Sequence, residues 1–163
     1  MKLSENGLKL LASDAYEGNI LHVYKDAAGL PTIGVGHLLT ATEKATGKIN
    51  INGKQVLIAS GITEQQALDL LAQDVKPAEQ IVNSQVKIPL SQNQFDALTI
   101  FTFNVGTGGF ASSSALTDLN AKEIKKVPDD LRKWNKITKN GQHVVCDGLV
   151  KRRELEIALF EKV

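Results

Sequence analysis

The sequence predicts an α+β fold, mainly helical, with a small β-containing N-terminal lobe, a long connecting helix and an all-helical C-terminal lobe. Three observations carry that reading. Residues 20–60 hold short β-leaning runs broken by turn signals, notably Asn52-Gly53. Two capping boxes, Thr63 with Gln66 and Ser91 with Gln94, each open an apolar helical run. In the second of these runs Phe95, Ala97, Leu98, Ile100, Phe101, Phe103 and Val105 surround the helix, which therefore belongs in the middle of a core.

In chain order, "SENGLKLLASDAYEG" reads as the first helix. Ser4 is its N-cap, Leu8, Leu11 and Ala15 share a face, and Gly18 suits the position past its end. "HVYKDAAGLPTIGVG" follows as a small hairpin or three-stranded sheet, and "KATGKININGKQVLIASG" as a second ribbon or a loop. The connecting helix runs over 63–86 with Leu70, Leu71, Val75, Ala78 and Val82 as its apolar stripe, and Pro77 kinks or interrupts it. Beyond the central helix, shorter helices are predicted near 113–120, 129–135 and 149–162, and "NKITKNGQHVVCD" reads as irregular. The whole chain, 1–163, forms one domain: a small lobe over about 14–62, the connecting helix, and a helical lobe of 87–163 with the first helix added. A cleft between two such lobes suits a polymer substrate.

Composition narrows the function. The chain has 163 residues, 42% hydrophobic and 23% charged, without a membrane-length apolar run, and "MKLSENGLKLLASD" is too polar for a secretion signal. These features predict a cytoplasmically made protein. The single cysteine, Cys146, excludes an internal disulfide and any zinc site built on several cysteines. Charge is uneven: residues 122–163 carry 11 Lys and Arg against 7 Asp and Glu, and the rest 8 against 11, so +4 stands against −3. A basic C-terminal third favours an anionic polymer, cell wall or nucleic acid. Nucleic-acid motifs are absent and only 5% of residues are aromatic, which leaves few platforms for bases.

The chemistry concentrates in "YEGNILHVYKDAAGLPTIGVGH". Glycoside hydrolysis needs one group to protonate the leaving oxygen and another to activate water or attack the sugar. Glu17, at the predicted C-terminal end of the first helix, lies where the helix dipole disfavours a charged carboxylate, as a general acid requires. Asp26, nine residues on, sits in a turn, and Thr32, six further, offers a hydroxyl that can help hold a water. Two carboxyls in unlike environments suit two roles. Taken singly, a helix-end glutamate, a turn aspartate and a strand threonine are ordinary residues.

The combination "EG…YKDAAGLPTIGVGH" resembles the signature of the phage-type lysozymes, or endolysins, of glycoside hydrolase family 24. Glu17, Asp26 and Thr32 match its catalytic set, and Gly34, Gly36 and His37 its closing motif. "SQNQFDALTIFTFNVGTGGF" is similar to the family's central helix and following loop, and "GLVKRRELEIALF" to its C-terminal helix. The resemblance implies a phage-lysozyme-like fold. It also implies cleavage of the β-1,4 bond between N-acetylmuramic acid and N-acetylglucosamine in peptidoglycan, with inversion and host lysis. Glu17 would be the acid, with Asp26 and Thr32 positioning water, and the carboxyls about 6.5–9.5 Å apart.

It further implies a structural ion pair between His37 and Asp74, and an arginine of the C-terminal helix, Arg153 or its neighbour Arg152, reaching the catalytic glutamate. The alternative for either arginine is a surface pairing with Glu154 or Glu156. Sugar contacts would come from Leu38, Phe103 and Ser113, with Phe103 equally readable as core; Asn104 would face the cleft or cap the helix. No metal or organic cofactor is called for. The implied partner is the glycan strand, with no nucleic acid and no stable membrane insertion, for a monomer released to the wall through a holin. A lytic transglycosylase would need neither Asp26 nor Thr32, and a non-catalytic wall-binding module would need none of the three. A tail lysozyme or bacteriocin component would share the activity.

Overall fold

Alternation and turn chemistry build the first half of the chain. The computed structural model describes residues 1–162; position 163, the end of the predicted helical lobe, lies outside them. Helix α1 (Glu5–Leu11) leads through turns to strands β1 (Ile20–Lys25), β2 (Pro31–Gly34) and β3 (His37–Leu38), an antiparallel sheet in that order. A short helix α2 (Ala41–Thr46) then precedes the hairpin β4 (Lys48–Ile51) and β5 (Lys54–Leu57). Asn52 and Gly53 close that hairpin with φ of 51° and 80°, the left-handed pair that a two-residue turn needs. Ile49 and Ile51 point inward and Lys48 and Asn50 outward, as a half-buried strand requires. They join Ile33, Leu39, Ile58, Ile62, Ala67 and Leu70 in one core, the last two from helix α3 (Glu64–Asp74).

Two predicted elements change here. The first helix ends at Leu11, six residues before Glu17. The chain leaves it in tight turns, with Tyr16 N and Gly18 N both donating to Ser13 O. Residues Ser13 and Asp14 favour such local bonding over continued helix. The connecting helix is two helices: α3 stops at Val75, and α4 (Lys76–Gln85) starts anew. Pro77 stands in the first turn of α4, where its missing N–H matters least, so the ring begins a helix rather than bending one. The capping box of Thr63 and Gln66 forms as predicted.

The chain divides into two compact units, Glu5–Lys76 and Met1–Ser4 with the chain from Pro77 onward. Helix α1, assigned from sequence to the helical lobe, thus groups with the sheets. In the second unit, Leu3 N donates to Glu79 and Ser4 N to Asp96, and Gln92 donates to Lys2 O. Its centre is α5 (Gln92–Val105), opened by the Ser91 and Gln94 box, with Phe95, Ala97, Leu98, Ile100 and Phe101 fully buried. The short helix α6 (Thr107–Ala111) and the closing helix α9 (Asp147–Phe160) pack directly on it, while α7 (Ser114–Asn120) and α8 (Val127–Arg132) pack on each other, α7 also meeting α6 and α8 also meeting α9.

The segment read as irregular is a hairpin, β6 (Lys136–Lys139) and β7 (Gln142–Val145), turning at Asn140 and Gly141 with φ of 50° and 75°. All eight strand residues are exposed, so no buried face imposes the alternation by which strands are recognised. The Asn-Gly turn was its one readable signal. No helix among the described residues is long and apolar enough to cross a membrane.

Candidate active site

Glu17, Asp26 and Thr32 all belong to the Glu5–Lys76 unit. Strand β1 ends one residue before Asp26, which then folds the chain back: its N–H donates to Leu30 O at 2.9 Å, and Gly29 N donates to its carbonyl at 2.8 Å. The side chain completes the turn. Oδ1 accepts from Ala28 N at 2.9 Å and from Leu30 N at 2.8 Å. "DAAG" is therefore both a turn and a device that fixes one carboxylate oxygen, leaving Oδ2 without a hydrogen bond to any described residue. Thr32, two residues into the return strand, is 1% exposed and donates its hydroxyl to the same Leu30 carbonyl at 3.0 Å.

Glu17 sits in the turns after α1, its N–H donating to Leu11 O at 3.2 Å. The dipole argument for its acidity does not apply, because it lies outside the last turn of any helix. Its carboxylate approaches Gly36 instead: a Cβ there would stand 3.4 Å from Glu17 Oε2. With φ of 68°, Gly36 is in the left-handed region and presents bare backbone to the carboxylate.

His37, in β3, lies between two carboxylates. Nδ1 is 2.8 Å from Asp74 Oδ2 and Nε2 is 3.1 Å from Glu43 Oε2. The bond to Asp74 foremost, opposed by burial and aided by Glu43, raises the imidazole from 6.5 to about 9. Burial would lift the Glu43 carboxyl, but the Thr40 N–H and His37 together hold it below its ordinary value. Glu43 is the residue that sequence reasoning missed. Its signal was Thr40-x-x-Glu43, a third capping box, which forms at the start of α2.

The Phage lysozyme family profile matches residues 14–156. The chain belongs to the phage lysozyme family. It is similar to the endolysin of Salmonella phage P22, 39% identical over 98% of both chains. It is also similar to the endolysin of Acyrthosiphon pisum secondary endosymbiont phage 1, 37% identical over 99% of both. A solved endolysin from Escherichia coli O157:H7 phage FAHEc1 superposes with a TM-score of 0.82 at 35% identity, covering 99% of this chain and 94% of that one. The protein is accordingly a lysozyme, a glycoside hydrolase of peptidoglycan that acts on the bacterial cell wall.

The other residues singled out in this phage lysozyme fall into two groups. Leu38 is 50% exposed on β3, and Phe103 is partly buried on α5. Ser113 is not available to a sugar. It is 2% exposed, and its hydroxyl caps α7, accepting from Leu116 N at 3.2 Å and donating to Phe110 O at 2.7 Å. "SSSAL" reads as a helix N-cap for the same reason.

Arg152 and Arg153 are not surface residues, at 6% and 1% exposed; Glu154 pairs instead with Arg132. Both arginines meet Glu156, which is wholly buried. Arg153 grips it through Nε at 2.8 Å and Nη2 at 2.9 Å. It also donates to Asn104 Oδ1 at 2.7 Å and Trp134 O at 3.2 Å, and its guanidinium lies 5.0 Å from the centre of the Phe101 ring. Asn104 is thus a ligand of the arginine rather than a helix cap. Burial pushes the Glu156 carboxyl up to about 7 against the pull of Arg153 and Arg152.

Proposed function

We propose that this phage lysozyme cleaves the β-1,4 bond between N-acetylmuramic acid and N-acetylglucosamine with inversion, Glu17 protonating the leaving oxygen and Asp26 directing water to the opposite face. The observation that carries the reading is the half-anchored Asp26: Oδ1 is held by two backbone N–H groups, so Oδ2 is the oxygen that orients a water. An oxygen fixed by its own turn needs no reorganisation when the water reacts. Thr32 supports the arrangement through Leu30, whose carbonyl accepts from both the Thr32 hydroxyl and the Asp26 N–H. Leu38 and Phe103 supply apolar contact to the sugars, and the enzyme works as a monomer that reaches the wall from the cytoplasm through a holin.

Mass spectrometry of peptidoglycan digested by the wild type and by Glu17→Gln, with proton NMR of the fresh digest to read the anomer, tests the roles. Muropeptides with reducing N-acetylmuramic acid ends, made by the wild type alone and released first as the α-anomer, are the expected result. Anhydro ends would mean that water is not the nucleophile, and release of the β-anomer would make the mechanism retaining.

A further inference from the structure

A line of side chains crosses the three-stranded sheet. Tyr24 of β1 stands opposite Thr32 of β2, and Thr32 opposite Leu38 of β3. Directly opposed residues project from the same face with Cβ atoms about 5 Å apart. Two positions on this line already carry proposed roles in handling water and sugar, while Tyr24 carries none. It precedes Asp26 by two residues, the spacing that returns side chains to one face of an extended chain.

The hydroxyl inventory around Asp26 is short of donors. The Asp26 carboxylate only accepts, and the Thr32 hydroxyl already donates to Leu30 O. Tyr24 is partly buried, and its hydroxyl makes no hydrogen bond to any described residue. The hydroxyl is not buried, so it is open to solvent and to a ligand. Burial, then Glu17 and Asp26, push the phenol up from its ordinary 10, so it stays a donor throughout the range in which a wall hydrolase works.

We infer that Tyr24 is a substrate-binding residue whose phenol O–H donates to an oxygen of the sugar bound against this sheet, an N-acetyl carbonyl or a ring hydroxyl. The inference rests on the assignment of Glu17 and Asp26 as the reacting pair. Sugars present many acceptors, and a site lined by carboxylates and a committed threonine needs one free donor to orient them. Tyr24 supplies it on the line that ends at Leu38.

The test is Tyr24→Phe, which keeps the ring and removes only the donor. In the Glu17→Gln background, calorimetry with tri-N-acetylglucosamine should give a Kd weakened about three- to tenfold, the range of one neutral hydrogen bond. In the active enzyme, kcat/KM on solubilised glycan strands should fall by the same factor, with Tm unchanged. Unaltered Kd and kcat/KM would overturn the assignment. If Tm falls, titration at 10 °C, where both proteins remain folded, separates lost binding from lost fold. A fully active Glu17→Gln single variant would remove the reading beneath the inference, whereas the Tyr24 titration reports on binding whichever residue is the acid.

Discussion

At the scale of single residues, Gly36 does what its neighbours cannot. Its φ of 68° excludes most side chains, and its bare α-carbon admits the Glu17 carboxylate. Gly36→Ala should act through the backbone alone. We expect a loss of about 1 kcal/mol of stability from the left-handed conformation, with turnover close to wild type, because the added methyl would meet Glu17 Oε2 at 3.4 Å, an ordinary van der Waals contact. Thermal melts and turnover on purified wall check the two, and a steep loss of turnover would mean that Glu17 does not tolerate the methyl. The spacing of Glu17, Asp26 and Thr32 was legible in the sequence. The means by which each is held was only partly so, because the contact of Glu17 with Gly36 and the sharing of Leu30 O join residues that no periodicity links. The burial of Arg153 was hidden for another reason: "KRREL" has the composition of a solvated surface, and only the packing of Phe101, Trp134, Asn104 and Glu156 around it says otherwise.

Among elements, those with a strong local signal were legible and those without one were not. Capping boxes located the starts of α3 and α5, and Asn52-Gly53 the β4–β5 hairpin, because each motif satisfies its own backbone groups without distant help. The β6–β7 hairpin escaped since it buries nothing. Two glycines contrast these cases. Gly61, at φ of 81°, has Leu21 O only 2.7 Å from where a Cβ would stand, so Gly61→Ala must push β1 away from the start of α3. It should cost at least about 2 kcal/mol, combining backbone strain with overpacking. Gly141→Ala, in open space at φ of 75°, should cost about 1 kcal/mol at most, and only within its hairpin. Denaturant unfolding checks the first and amide exchange the second; equal losses of global stability would contradict the contrast.

For the whole molecule, His37 couples folding to pH. Its folded value, raised from 6.5 to about 9, means that the native state holds a proton between those limits that the unfolded chain releases. The stabilisation is complete below pH 6.5, declines as pH rises, and is gone above about 9. After allowance for partial solvation of the two carboxylates, it is on the order of 2 kcal/mol. Asp74→Asn should lower the imidazole value, destabilise the protein at pH 6 and leave it nearly unaffected at pH 10, with turnover close to wild type. Urea titrations at the two pH values and an NMR titration of His37 measure this, and lost turnover with unchanged stability would give His37 a direct part in the reaction.

The placement of Leu3 and Ser4 matters for how the chain matures. Their backbone partners, Glu79 and Asp96, lie more than 70 residues downstream, while everything from Glu5 to Lys76 forms one contiguous unit. On a translating ribosome β1 to β5 and α3 can acquire their structure while Leu3 and Ser4 still hang loose. Those two residues are synthesised before α4 and α5 and must wait for both to emerge before they dock.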